Sequence, residues 1–241
     1  MKVEIWSDVV CPWCYIGKRR FEAALAGFSH RGQVEIVWRS LELDPAAPRE
    51  RAEDRLEHLA AKYAVTRTEA EAMVRRVTMA AAGEGLDLRL DIARSGNTLD
   101  AHRLLHLAAD HGRQGELKER FLQAYFSEGE PIGDPSTLER LAVGIGLPAA
   151  EVADVLGSDR YLAAVRADER EAERLGAGGV PCFVFDRAYG ISGAQAPEVF
   201  AAMLERAWSA RGEPETEGAD VDLPAAEGQT CEDDACAVDV T

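Results

Sequence analysis

Long apolar runs are missing from this 241-residue chain. None approaches the ~20 residues needed to cross a bilayer, so no membrane-spanning helix is expected. Positive charge is also in short supply. Lys and Arg number 27 against 43 Asp and Glu, for a net charge of -16. No basic stripe relieves it, which argues against nucleic acid and anionic membrane surfaces as partners. Cysteine is scarce: five residues are too few for a disulfide scaffold, and the odd number leaves at least one thiol unpaired. The N-terminus passes from Lys2 straight into Val3-Glu4-Ile5-Trp6 without the apolar stretch of a secretory leader. A cytosolic chain is therefore expected, where a disulfide is more often catalytic or redox-sensing than structural.

What the sequence does carry is Cys11-Pro12-Trp13-Cys14, directly behind the apolar run Val3 to Trp6 and directly ahead of a helical stretch. The spacing predicts Cys11 as the cap of that helix and Cys14 one turn below, with Pro12 at the first helical position, where its missing N–H costs nothing. Partial positive charge and unpaired N–H groups at a helix N-terminus stabilise a thiolate, lowering its pKa from roughly 8.5 toward 3.5–7.5. Cys11 is then the more exposed and more nucleophilic thiol, and Cys14 resolves a mixed disulfide formed on it. A C-x-x-C beside strand–helix alternation points to thioredoxin-like redox chemistry. The same spacing also makes half of a structural zinc site.

Along the chain, residues 1–45 read strand, helix, strand, with the second strand over Gln33–Trp38. Residues 46–176 read as helices, among them one capped by Thr66, one capped by Asn97 or Ser95, and a long charged one from Asp159 to Leu175. Residues 177–211 return to strand character: Cys182–Phe185 and Tyr189–Ser192 form a hairpin, and Pro197 opens a last helix. Residues 212–241 hold ten acidic and no basic residues, as expected for a poorly ordered tail, and contain Cys231 and Cys236 as C-x4-C. The body before the tail carries a charge of only -6. The order β-α-β, helical block, β-β-α predicts an α/β chain: a thioredoxin fold with an inserted all-helical domain.

Taken together, Trp6 to Gly17, Asn97-Thr98 with Ala101-His102-Arg103, Gly179-Val180-Pro181 with Phe183, and Ile191 to Gln195 resemble the DsbA-like thiol–disulfide oxidoreductases, and within them the FrnE-type subfamily. The resemblance covers about residues 2–208. It implies that Pro181 is the cis proline beside the active-site cysteines and that the Val180 backbone receives an extended substrate segment. It also extends to the glutathione-dependent 2-hydroxychromene-2-carboxylate isomerases, which carry Ser where this chain has Cys11. Cys182 has no role in the family pattern, and a buried, inert thiol facing away from the surroundings of Val180 is expected. His102 and His106, four apart on a helix, lack the intervening Glu of a metal motif and are taken as core contacts.

The expected function is thus cytosolic protein-disulfide oxidoreductase activity through Cys11 and Cys14, with Trp13, Val180 and Pro181 contacting substrate. Protein or small-molecule thiols and disulfides are the expected partners, glutathione among them. The two thiols carry both electrons, so no cofactor and no metal is called for. Two alternatives stay open: a glutathione-dependent isomerase or transferase, and a zinc-binding or holdase module using Cys11, Cys14, Cys231 and Cys236. The tail pair is otherwise expected to act as an auxiliary dithiol. Asp8, just ahead of the motif, is either a simple loop carboxylate or a modulator of proton transfer to the thiols.

Overall fold

The computed structural model describes residues 1–51 and 55–211. Its elements are β1 (Lys2–Ser7), α1 (Pro12–Gly27), β2 (Glu35–Ser40), α2 (Arg55–Lys62), α3 (Arg67–Gly83), α4 (Leu99–Asp110) and α5 (Gln114–Ser127). They continue as α6 (Pro135–Gly144), α7 (Ala149–Gly157), α8 (Leu162–Arg174), β3 (Cys182–Phe185), β4 (Tyr189–Ser192) and α9 (Pro197–Ala210). Two compact units result: Met1–Leu43 with residues 164–211, and Asp44–Ala163.

In the first unit the strands form one sheet in the order β2-β1-β3-β4. β1 runs parallel to β2 and antiparallel to β3, and β3 pairs antiparallel with β4. This is the thioredoxin arrangement expected from the element order. Side chains alternate between the two faces of a strand, and the sequence uses that period to give the sheet two different faces. Val3 and Ile5 of β1 join Phe183 and Phe185 of β3 in one cluster with Phe21 of α1, Phe28 at its C-cap, and Phe200 and Leu204 of α9. The Phe21 ring lies 5.5 Å from Phe183 and 5.8 Å from Phe200, at tilted to edge-on angles that suit aromatic quadrupoles. Full burial of such side chains contributes about 1.5–3 kcal/mol each. This face anchors α1, and with it the thiols at its start.

Glu4 and Trp6 take the opposite parity, and the opposite face is partly charged. Glu4 is buried but holds two guanidinium groups, Arg39 Nε at 2.9 Å and Arg187 Nε at 2.9 Å. Arg39 also reaches Asp168 of α8 at 3.1 Å, and Arg187 reaches Glu171 at 2.9 Å. Trp6 donates its indole N–H to the Asp168 carbonyl at 2.8 Å. These bonds explain why α8 from Ala164 onward groups with the sheet, rather than with a helical insertion extending to 176. The charged helix was expected in the insertion because its sequence shows helix but not what it pairs with.

In the second unit α4 packs on α5 and α7, and α6 packs on α4, α5 and α7. The buried apolar residues include Leu104, Phe121, Leu122, Tyr125, Leu138 and Val155. Arg103, buried on α4, donates to the carbonyls of Val155, Ser158 and Arg160 and so satisfies the acceptors that the end of α7 leaves open. Thr66 and Glu69 form the capping box expected at the start of α3. Two local expectations shift. Residues Arg31–Gln33 form a 3-10 turn, which delays β2 to Glu35. The cap of α4 is Thr98, while the Asn97 side chain accepts the Leu99 N–H at 2.9 Å.

Glu4 gives a testable consequence. Burial alone would push its carboxyl up, but the hydrogen bonds and charges of Arg187 and Arg39 outweigh that and hold it below its ordinary value of 4.5. A carboxylate depressed by folding contributes stability that is present above its unfolded pKa and is lost as pH falls through the folded one. Arg39→Met leaves Glu4 and Asp168 without that guanidinium and should cost about 3 kcal/mol in urea unfolding at pH 7. The deficit should narrow as the pH is lowered below 4.5. A deficit that stays constant with pH would exclude the ion pairs as its source.

Candidate active site

The turn of residues 8–11 joins β1 to α1 and sets Cys11 at the helix N-cap, in extended conformation, with Pro12 at the first helical position. The Cys14 N–H donates to the Cys11 carbonyl at 3.1 Å, closing the first turn. Both cysteines are free thiols. Cys11 is the more exposed of the two, as expected, although both are buried: it is 5% exposed against 1% for Cys14. The cause is an apolar wall made by Trp6, Ala172, Val180, Cys182 and Val184, rimmed by Trp13, Leu41, Leu43 and Leu175.

Burying a thiol disfavours its ionised form, yet Cys11 is held below its ordinary pKa. The largest cause is the hydrogen bond from the Cys14 thiol. Burial opposes it, the Cys14 and Trp13 amides of the helix turn add to the lowering, and the charge of Asp8 opposes it. The turn therefore favours, at Cys11, the thiolate form in which a thiol attacks.

The Val180–Pro181 peptide is cis, and the Val180 carbonyl lies 3.8 Å from the Cys11 sulfur as its hydrogen-bond acceptor. The Pro181 carbonyl accepts the Gly193 N–H at 2.8 Å, which ties this turn to the residue after β4. Gly193 sits at φ +79, in the left-handed region where a side chain would be strained. Gly17 is a site residue that the sequence reading missed. A Cβ there would lie 3.1 Å from Pro181 Cγ, so its hydrogen atom is what lets α1 lie against the proline. The signal was present as an isolated glycine inside a helical pattern.

Cys182 is also corrected. It is buried, as expected, but it faces the same wall as Val180 and Val184, because residues two apart share a strand face. Burial pushes its thiol up to about 12. Trp13 is half-buried at the rim. His102 is buried within α4, His106 stacks on Tyr161, and no group of three or more metal-ligating side chains occurs among the described residues. Cys231 and Cys236 lie outside the described residues.

Two thiols at a helix start, facing a cis proline across a β-α-β/β-β-α sheet, can be set beside known proteins. Residues 2–205 match the DSBA-like thioredoxin domain. The chain belongs to that family. It is 47% identical to a probable DsbA oxidoreductase, SCO1869, from Streptomyces coelicolor, with a TM-score of 0.83 over 99% of each chain. A 2-hydroxychromene-2-carboxylate isomerase shares the fold at 14% identity, with a TM-score of 0.65 over 87% of this chain and 95% of that one. So does the cytosolic disulfide reductase DsbM of Pseudomonas aeruginosa, solved with GSH, at 18% identity and a TM-score of 0.61 over 87% and 100%.

The two thiolate balances predict a labelling order. In native reduced protein, iodoacetamide at pH 7.5 should modify Cys11 quickly and leave Cys182 untouched. With its thiol at about 12, Cys182 has a thiolate fraction of about one part in 10⁴ or less. Peptide mapping before and after denaturation checks this, and native labelling of Cys182 at a rate matching Cys11 would refute it.

Proposed function

We propose that this chain is a cytosolic thiol–disulfide oxidoreductase that works by dithiol exchange at Cys11 and Cys14. The observation that carries the reading is a Cys11 thiol whose ionised form is favoured, despite burial, by the Cys14 thiol and the first-turn amides. The Cys11 thiolate attacks one sulfur of a substrate disulfide, forming a mixed disulfide and releasing the other sulfur as a thiolate. Cys14, losing its proton, attacks the Cys11 sulfur, which leaves Cys11–Cys14 oxidised and the substrate reduced by two electrons. The reverse sequence oxidises a dithiol. The Val180 backbone is the docking edge for an extended substrate, with Pro181 beneath it and Trp13 supplying apolar contact at the rim.

Small thiols such as glutathione are reasonable partners, given the glutathione held by DsbM, and the cytosol is the compartment that DsbM occupies. Having Cys11, where the isomerases carry Ser, favours dithiol exchange over the isomerase reading. Cys11→Ser should abolish insulin disulfide reduction and any trapped mixed disulfide. Cys14→Ser should keep the first attack and accumulate the mixed disulfide on Cys11. Full turnover by Cys11→Ser would sink the assignment.

We also propose that Cys231 and Cys236 act as an auxiliary dithiol exchanging with the first pair. About twenty residues separate the last helix from Cys231. In Cys14→Ser protein, Cys11 should then form an intramolecular disulfide with Cys231 or Cys236, visible by peptide mapping. If none forms, and deletion of residues 212–241 leaves turnover unchanged, the tail is not a relay. Stoichiometric zinc in protein purified without chelator would instead favour a four-thiolate site.

A further inference from the structure

α1 and α9 pack against each other on the aromatic face of the sheet, and the seam between them is left partly empty. Phe21, Phe28, Phe200 and Leu204 fill the layer next to the strands. On the outer side the two helices present small residues, Ala23 and Gly27 on α1 and Ala201 on α9, around a groove of about 280 Å³. A Cβ at Gly27 would meet no atom within 4 Å, so the seam there is open space rather than a close helix contact. Ala23 and Gly27 are exposed, and the groove is shallow. Sites for small molecules enclose about 300–1,000 Å³ and bury roughly 70–90% of the ligand. A smaller groove with an exposed rim suits a few side chains of a partner instead.

Glu198 and Glu205 border the groove on the α9 side, and both are exposed. They are seven residues apart, which puts them on one helix face about 10 Å apart along the axis. Neither forms an ion pair with a described residue, and residues 52–54 and 212–241 contain no Lys, Arg or His. Val199, next to Glu198, is 43% exposed and adds apolar surface beside the carboxylates. Charge selects the occupant. The stretch from 212 to 241, with ten acidic residues and no basic one, is repelled. A second copy docked groove to groove would bring four carboxylates together, and anionic lipid is disfavoured for the same reason. An apolar floor with two carboxylates two turns apart is complemented by a helix with an apolar ridge and basic residues at that interval.

We propose that the groove between α1 and α9 docks a basic amphipathic helix of a partner protein, its apolar ridge lying on Ala23, Gly27 and Ala201 and its Lys or Arg side chains meeting Glu198 and Glu205. Larger residues at positions 23 and 27 would fill the seam and close it. Ala23 follows Cys14 by nine residues on the same helix, about 14 Å along its axis. The partner is thereby held by the helix that presents the thiols, at a place separate from them. Docking is independent of dithiol exchange, and binding rather than turnover reads it.

The probe is a dye-labelled peptide of about 15 residues, acetylated and amidated, with Leu and Ala on one face and two Lys placed two helical turns apart. Titrated with the full chain at low ionic strength and followed by fluorescence anisotropy, it should bind saturably, and a control with Glu in place of Lys should not. Gly27→Leu, whose Cβ enters open space, should weaken binding of the Lys peptide by at least about tenfold. Glu198→Gln combined with Glu205→Gln should weaken it roughly fivefold, and high salt should remove the difference. No saturable binding, or equal affinity for the wild type and both variants, overturns the proposal. Spermidine displacing the peptide at equal concentration would make the groove a polyamine site, and a dimer that Gly27→Leu dissociates in sedimentation would give it to a second copy. Either result overturns the partner helix. Should Gly27→Leu not fold, the paired Glu substitutions, at exposed positions, decide alone.

Discussion

A thiolate inside an apolar wall is unfavourable, and the start of α1 is where this protein offsets that cost. Trp6, Val180 and Val184 exclude water from the Cys11 sulfur. Only donors built into the same helix turn, the Cys14 thiol and the Cys14 and Trp13 amides, can then serve the charge. Much of the sheet unit can be read as support for that turn. β1 aims the chain at it, Pro12 begins the helix at no hydrogen-bond cost, and Gly17 allows the helix to lie on Pro181.

The two faces of the sheet divide the labour. The aromatic face holds α1 and α9 by dispersion and burial, which are insensitive to pH and to redox state. The other face carries Glu4, Arg39, Asp168 and Arg187, and it locks α8 over the strands through directional bonds. A buried ionic network of this kind is weak evidence for stability but fixes geometry well. Here the geometry it fixes includes Ala172 of α8, one wall of the thiol cluster.

Family membership sets the chemistry less tightly than it sets the fold, since one fold hosts many reactions. The same architecture supports an isomerase and a disulfide reductase among the structural relatives. A sulfur at position 11, with a second sulfur one turn on, suits the dithiol exchange proposed for this chain.

Much of this was legible in the residues. The element order, the Cys11–Pro12–Trp13–Cys14 cap, the β3–β4 hairpin and the Thr66 capping box follow from short-range rules, because period, caps and turns act over a few residues. Other features depend on what meets what across the fold. The grouping of α8 with the sheet rests on Arg187 and on Arg39, the latter 129 residues from its partner Asp168. The burial of Cys11, the shared face of Cys182 and Val180, and the fit of Gly17 on Pro181 arise from side chains brought together by strand pairing. The sequence by itself determined which thiol sits at a helix start. Only the tertiary structure decided what surrounds that thiol, because desolvation and charge act through space rather than along the chain.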